Sequence, residues 1–510
     1  MFRAFFLAVL VGTSLFGQAQ ISITQFQKNA NLDLERKIYQ FDVVRHPSVQ
    51  QWVINIGDDS LENIGNHWQK KKYEKWFGRK LFNEDLLKVD TTNFSLKINP
   101  LVNFQFGVDN EDTTGQRLST NSRGILIEAT VGKKFGFYTS FWENQSFFPA
   151  YITNYIASNG IVPGQGRVKP FKKIGFDYAR SSAVLHYAPT KWLFVQGGHG
   201  KNFYGNGYRS LLQSDYAFNY PYLKVGLSLF DGKLLYQPSI ASLQHLQRLP
   251  ATTSSEAQFV RKAGTFHVLN FQPHSRVEIG LFEGGVWQNW DSNGTVQLPA
   301  NFYVPIAFLN SGINGLESAN YKGIVGLNGR VSPLKTLALY GQIGMSNQGT
   351  SRFASQIGVK YFDAFKVENL FIHGEYNTID NGVYSHSLDP ALNYNHYNEG
   401  IANFDLGASN EVIARVNYSF RDVFVRFKYN HQNRNQSITT IANSVSVVTN
   451  TLKAIDITSA ELGYLFNKRN NMMVLFGVQN RAEESVLSAT NSQWVYVSFR
   501  TELQNLYYDF

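Results

Sequence analysis

Residues 94–106 read FSLKINPLVNFQF, and apolar and polar side chains alternate along this stretch. Phe94, Leu96 and Ile98 would lie on one face of an extended strand, whereas Ser95 would lie on the other. A strand with one apolar and one polar face is typical of a barrel that has lipid outside and water inside. The stretch therefore predicts the first strand of an outer-membrane β-barrel.

The same alternation continues to the end of the chain and predicts an all-β fold, a transmembrane antiparallel barrel of about eighteen strands. The predicted strands are 94–107, 123–132, 134–143, 175–187, 191–200, 222–230, 233–244, 265–272, 276–287, 322–331, 335–345, 353–362, 365–378, 410–420, 423–431, 455–466, 471–480 and 493–505. Long polar or Gly-rich stretches follow the odd-numbered strands, and tight turns follow the even-numbered ones. Outer-membrane barrels have this alternation of long outside loops and short periplasmic turns.

Composition supports an exported membrane barrel. The chain has no cysteine, 15% aromatic residues and only 17% charged residues, which excludes a disulfide framework and a thiolate metal site. Its formal net charge of +9 comes from scattered residues, so we expect no nucleic-acid partner. The positive balance suits either a surface that faces lipid phosphates or one that attracts an acidic polymer.

Three regions are predicted along the chain. Residues 1–19 have the pattern of a secretory signal peptide, with Arg3 before an apolar stretch. Residues 20–93 show helical rather than alternating spacing, with helices expected at Asn31–Phe41 and within Ser60–Leu87, and are predicted to form a small periplasmic helical segment. Residues 94–510 are predicted to form the barrel.

The end of the sequence is predicted to be the last strand, closing on Phe510. A terminal aromatic residue after an alternating strand is similar to the signal that the outer-membrane insertion machinery reads. We therefore expect that machinery as a partner, and expect the C-terminus to serve insertion and barrel closure only.

Residues 197–223 are the least ordinary stretch, because five glycines lie within its first eleven residues. One interpretation is a loop folded into the barrel mouth with Arg209 and Asp215 paired internally. The other is a ligand site, for which the candidate residues are His199, Lys201, Asn202, Tyr204, Tyr208, Arg209, Asp215, Trp287 and Trp290. His199, Ser210 or Ser214, and Asp215 could be assembled into a hydrolytic triad only on paper, so we predict no enzyme, no catalytic residue, no metal and no cofactor.

Two further features concern the loops. Glu283 falls in the phase of the lipid-facing residues, so we expect either a bulge at Gly284-Gly285 that turns it inward or a position above the membrane. The long loops 143–174, 288–321 and 379–409 combine aromatic residues with Asn and Asp. Such mixtures suit sugar recognition, but they also suit packing over a pore.

The block 200–212, GKNFYGNGYRSLL, with Ser214-Asp215 and the following 219–224, NYPYLK, resembles the Wzi-type capsule assembly outer-membrane proteins. Within that family it is similar to the Bacteroidetes branch that includes the gliding-motility protein RemB. The resemblance implies an eighteen-stranded barrel with a periplasmic helical part, loops that occlude the lumen, and a lectin-like role.

Function is predicted from these features together. The first hypothesis is an outer-membrane barrel that binds or organises surface polysaccharide or lipopolysaccharide, in capsule or exopolysaccharide assembly or attachment. The second is a component of gliding-motility or surface-adhesion machinery. The third is a porin-like channel, because a barrel of this size can enclose an aqueous lumen.

Overall fold

A computed structural model of the chain describes residues 20–40, 46–56, 72–112, 115–249, 258–291, 294–404, 406–442, 445–486 and 488–510. Eighteen antiparallel strands form a closed barrel in it. They are β1 Phe94–Asp109, β2 Arg117–Val131, β3 Phe135–Phe147, β4 Gly175–Tyr187, β5 Leu193–Gly200, β6 Tyr220–Leu229, β7 Leu234–Leu249, β8 Gln258–His274, β9 Val277–Gln288, β10 Tyr321–Leu334, β11 Leu337–Gln348, β12 Thr350–Tyr361, β13 Leu370–Ile379, β14 Ser409–Phe420, β15 Val423–Ala442, β16 Val445–Asn467, β17 Met472–Glu484 and β18 Ala489–Thr501. Strand β18 pairs with β1 from Trp494 opposite Asp109 to Arg500 opposite Asn103, and this pairing closes the barrel.

The predicted fold is confirmed, since each of the eighteen predicted strands overlaps one observed strand. Two predicted long loops are wrong. Strands β11 and β12 continue to a tight turn at Gly349, whose φ of 75° suits glycine. Strands β15 and β16 extend far beyond their predicted ends and pair out to Ala442 opposite Val445.

Alternation along the strands separates two environments. Phe106 is 67% exposed on the outer face of β1, whereas the neighbouring Gln105 is buried inside. On β11, Leu339 faces outward and Tyr340 lies buried in the lumen. An apolar outer belt around a polar interior is what a barrel in a bilayer requires. Among the described residues, no helix has the length and apolarity needed to cross a membrane.

Short elements decorate the barrel. The helices are α1 Leu32–Gln40, α2 Trp76–Phe82, α3 Ala150–Asn159 and α4 Leu309–Asn314, with 3-10 turns at Ala300–Tyr303, Ala364–Lys366 and Pro390–Leu392. Short strands lie at Gln20–Ile23, Val49–Gln50, Val53–Ile56, Leu87–Asp90, Ile161–Val162, Gly166–Arg167, Lys169–Phe171, Phe203–Tyr204, Glu317–Ser318, Asn395–His396 and Glu399–Gly400.

Helix α1 confirms the helix predicted at Asn31–Phe41, as far as Gln40. It lies at the end of the barrel that carries the short turns, where Arg36 Nη1 lies 2.9 Å from Asp363 Oδ1. Of the stronger helix predicted within Ser60–Leu87, the structure shows only α2, because residues 72–75 and 83–87 are not helical; residues 57–71 lie outside the described ranges. The assignment of residues 20–93 to the periplasm remains a prediction.

Three parts of the chain enter the lumen: the described residues 23–40 and 46–52 of the first segment, the β5–β6 connection 201–219, and residues 502–510 after β18. The side chain of Gln51 donates to Tyr138 Oη at 2.6 Å, and residues 49 and 50 pair as a short strand with residues 204 and 203. The largest cluster of buried apolar residues therefore lies inside the barrel, where it joins the connection 201–219 to the surrounding wall.

The sequence analysis predicted that the chain ends on its last strand, and this prediction is wrong. Strand β18 stops at Thr501, and residues 502–510 turn back into the lumen. Phe510 is buried there, with its ring centroid 4.6 Å from that of Tyr155 on α3. The alternating aromatic pattern misled the prediction, because aromatic residues serve a lumenal segment as well as a lipid-facing strand. Recognition by the insertion machinery remains untested.

Glu283 stays on the outer face of β9, and the strand pairing runs without a bulge at Gly284-Gly285, so the predicted inward turn is wrong. The alternative, a position above the membrane, stays a prediction. The β9–β10 connection folds down over the outer wall and covers this carboxylate. Glu283 accepts hydrogen bonds from Phe308 N at 2.5 Å, from Ser311 N at 2.8 Å and from Ser311 Oγ at 2.5 Å. Its charge is thereby enclosed by protein, while Tyr303 and Ile306 of the same connection face outward.

Candidate functional site

The β5–β6 connection crosses the lumen and is buried from Lys201 to Ala217. Its backbone is held by side chains of the far wall: Gln342 Nε2 donates to Tyr204 O at 2.9 Å, and Glu375 Oε2 accepts from Tyr208 N at 2.6 Å. Gly207 is required here, since a Cβ atom would collide with the Glu375 carboxylate and with Arg209 O. The glycines of this stretch therefore serve close packing against the wall.

Arg209 lies at the centre of a buried charge cluster. Its Nη2 lies 3.0 Å from Glu411 Oε1 and 3.2 Å from Asp509 Oδ1. Asp509 also accepts from Lys428 Nζ at 2.8 Å and from Tyr208 Oη at 2.7 Å. Burial alone would raise the pKa of Asp509, but the charges of Arg209 and Lys428 outweigh it and hold that pKa well below its usual range. We call Tyr208, Arg209, Glu411, Lys428 and Asp509 the lumenal latch.

The internal pair predicted between Arg209 and Asp215 is wrong. Asp215 instead accepts hydrogen bonds from Tyr507 Oη and Asn505 Nδ2, both at 2.8 Å. Asp215 therefore holds segment 502–510, as Glu411 does through Arg209. The sequence could not show this, because the partners lie about 290 residues apart.

The remaining candidates of this stretch are also held by internal contacts. Lys201 Nζ donates to Asp215 O at 2.8 Å, and Asn202 Oδ1 accepts from Lys224 Nζ at 3.1 Å. Tyr204 stacks on Phe282 with 5.7 Å between ring centroids. His199 Nδ1 lies 3.2 Å from Ser181 O, so it does not join Asp215 in a triad. These contacts assign the stretch a packing role, which favours the mouth-loop interpretation.

The two tryptophan candidates separate. Trp287 lies on the outer face of β9, where its Nε1 donates to Thr265 Oγ1 at 2.9 Å and its ring packs against Phe302 and Tyr321. Trp290 lies at the end of the barrel that carries the long loops, with the guanidinium of Arg261 5.9 Å from its ring. Only Trp290 is placed where a large external ligand could reach it.

The long loops meet around Glu399 in the β13–β14 connection. Glu399 Oε1 accepts from Gly164 N at 2.6 Å, and its Oε2 accepts from Phe218 N at 3.0 Å. One carboxyl group therefore joins three connections. Burial raises the pKa of Glu399 to about 8, although the two backbone hydrogen bonds and the charge of Lys201 oppose this shift.

A group of basic side chains lies at the long-loop end, on and beside the short strands 166–171 and the β7–β8 hairpin. The guanidinium groups of Arg167 and Arg248 each lie 4.6 Å from the ring of Phe259. We call this group the basic rim; its members are Arg167, Lys169, Lys172, Lys173, Arg248 and Arg261. Except for Arg248, which is partly buried, these residues are exposed.

A cavity of about 210 Å³ lies inside the barrel, between the wall and segment 502–508. Trp142, Tyr178 and Arg180 line it, and none of them was a candidate in the sequence analysis. The alternation of β4 could have placed Arg180 on the lumenal face, but no motif marks it as a site. Because the cavity is built by residues from both halves of the chain, sequence proximity could not show it.

Comparison with solved structures places the fold beside known outer-membrane barrels. Wzi of Escherichia coli, described as a carbohydrate-binding β-barrel involved in group 1 capsule assembly, aligns with a TM-score of 0.55 over 95% of this chain and 100% of its own, at 10% identity. The chain thus has a Wzi-like fold. Acinetobacter baumannii OccAB2 aligns at 0.41 over 80% of this chain and 97% of its own, at 10% identity. A BenF-like porin from Pseudomonas fluorescens aligns at 0.42 over 81% and 98%, also at 10% identity.

No protein-family model matches the sequence, and a search of curated proteins found no match. The Wzi-like fold confirms the coarser part of the resemblance given above. The Bacteroidetes, RemB-like branch remains a hypothesis.

Proposed function

We propose that the chain is an outer-membrane barrel that binds surface polysaccharide through the basic rim. The observation that carries this proposal is the pair of arginines, Arg167 and Arg248, that flank the ring of Phe259 beside a row of exposed lysines. Aromatic faces stack on sugar rings, and guanidinium and ammonium groups attract carboxylate or phosphate substituents. The net charge of +9 favours an acidic rather than a neutral polymer.

Two features support binding over transport. The connection 201–219 and segment 502–510 cross the lumen and are fixed there by the lumenal latch. In addition, Wzi, whose fold this chain shares, is described as a carbohydrate-binding barrel. A barrel with a filled lumen suits an anchor for a polymer held outside it.

The test is polymer binding by the purified full-length barrel on a glycan array and in solution. The triple variant Lys169→Gln/Lys172→Gln/Lys173→Gln should weaken binding of acidic polymers, and added salt should weaken binding by the wild type. The matched control is Lys133→Gln/Lys134→Gln/Lys191→Gln, which removes three exposed lysines at the short-turn end. Equal binding by the two triple variants would refute the role of the rim.

The other two hypotheses predict different outcomes. A gliding or adhesion component predicts that deletion of the gene reduces surface spreading while cell-attached polysaccharide is unchanged. A channel predicts steady open conductance of the wild-type barrel in planar bilayers. We expect the closed state instead, because three stretches of the chain occupy the lumen.

A further inference from the structure

The internal cavity contains a cation without an acidic partner. Arg180 is 6% exposed, and its Nε and Nη1 atoms are buried without a hydrogen-bond partner in the part of the chain that the structure describes. Its guanidinium lies 4.7 Å from the ring of Trp142, directly opposite on β3. A buried guanidinium normally pairs with a carboxylate, because leaving its charge unpaired is costly. This one lines the internal cavity instead.

The other cations of the cavity wall differ from Arg180, because they have polar partners of their own. Arg426 and Arg500 pair with Glu461 and Glu502, at N–O distances between 2.7 and 3.2 Å. Arg415 donates to an amide oxygen, that of Asn29, at 2.9 Å. Six basic but only two acidic side chains line the cavity among the described residues, so its wall is positive overall.

The rest of the wall suits a sugar ring. Trp142 and Trp494 contribute aromatic rings, and Trp494 Nε1 and Arg500 Nε are further buried donors without an acceptor in the described chain. Gln105, Thr120 and Ser122 add amide and hydroxyl groups. The volume of about 210 Å³ is more than ten times the roughly 10–15 Å³ that admits one water molecule, so a ring-sized ligand fits.

We propose that this cavity binds one carboxylate-bearing sugar unit, with its carboxylate on Arg180 and its ring against Trp142. The inference rests on the proposed function only in taking the ligand to be a saccharide. The site is separate from the basic rim, since it lies inside the barrel wall. It would give the barrel a preference for polymers that contain uronic acids.

The experiment is calorimetric titration of the purified full-length barrel with D-glucuronate, with glucose and acetate as the neutral and ring-free comparisons. We expect the wild type to bind glucuronate more tightly than either comparison. Arg180→Gln should weaken that binding about tenfold to a hundredfold, because one charge-assisted contact is lost. The matched control Arg276→Gln removes an exposed arginine at the short-turn end and should leave binding unchanged.

Arg180→Lys keeps the charge but loses the planar fork, so it should bind at an intermediate strength and provides a test if Arg180→Gln fails to fold. The proposal is overturned if the wild type does not bind glucuronate, if Arg180→Gln or Arg180→Lys binds it as well as the wild type, or if glucose or acetate binds equally. Polymer binding without glucuronate binding would overturn only this inference. Glucuronate binding without polymer binding would overturn only the proposed function.

Discussion

The lumenal latch predicts that Asp509→Ala releases the end of the chain from the lumen. The substitution removes the carboxylate that meets Arg209 at 3.2 Å, Lys428 at 2.8 Å and Tyr208 at 2.7 Å. Arg209 keeps Glu411, but the Lys428 ammonium loses its carboxylate. Removing one partner from a buried charge pair costs about 3–5 kcal/mol. The equilibrium between the docked and released segment should therefore shift roughly a hundredfold to a few thousandfold.

Thiol labelling measures this shift, because the chain has no cysteine of its own. In a Leu506→Cys background, the rate at which a maleimide modifies residue 506 reports the released population. Asp509→Ala should raise that rate at least tenfold, and Asp509→Asn should raise it less because the amide still accepts from Tyr208. Glu484→Ala, which removes an exposed carboxylate, is the control. Unchanged labelling in Asp509→Ala would show that the latch does not hold the segment.

Three other perturbations follow from the structure. Glu283→Ala should free the β9–β10 connection from the outer wall, so a protease should cut residues 304–314 faster; an unaltered cleavage rate would contradict the cover described here. Because the folded-state pKa of Glu399 is raised from 4.5 to about 8, its contribution to stability is full below pH 4.5 and is lost as pH rises toward 8. The free energy of unfolding of Glu399→Gln, measured by denaturation, should therefore gain on that of the wild type across that window, by up to about 1.4 kcal/mol per pH unit. A difference between the two proteins that stays constant with pH would refute this. Phe510→Ala should destabilise the docked segment by about 3–5 kcal/mol, seen as faster labelling at residue 506, whereas labelling at the wild-type rate would assign that ring no packing role.

The strands were predictable because lipid on one side and water on the other impose a period of two on each of them. That constraint disappears where a segment leaves the wall. Residues 502–510 are as rich in aromatic residues as a membrane strand, but they pack inside the lumen. Nothing in their local sequence distinguishes a lumenal segment from a lipid-facing strand. Likewise β15 continues through residues 432–437, QNRNQS, where consecutive polar residues hide the alternation.

The candidate site was less predictable than the fold. The stretch 197–223 was correctly singled out as unusual, and its glycines do allow close packing. Its charged residues looked like ligand contacts because their true partners, such as Glu411 and Asp509, lie far away in sequence. For Glu283 the sequence did show the anomaly, because its position in the strand alternation puts it on the lipid-facing side. The loop that covers its carboxylate was not predictable, because no sequence pattern placed that loop on the outer wall.

The two ends of the described chain meet inside the barrel, and this dictates an order of assembly. Lys28 N donates to Asn505 Oδ1 and Asn505 N donates to Phe26 O, across 477 and 479 residues. These contacts cannot form until the final strand has been made. The hydrogen-bonding groups of the early segment therefore lack these partners while the eighteen strands pair. Such long-range closure is slow. A folding intermediate with a complete wall but an empty interior is the expected consequence, and it would be the form most exposed to proteolytic quality control.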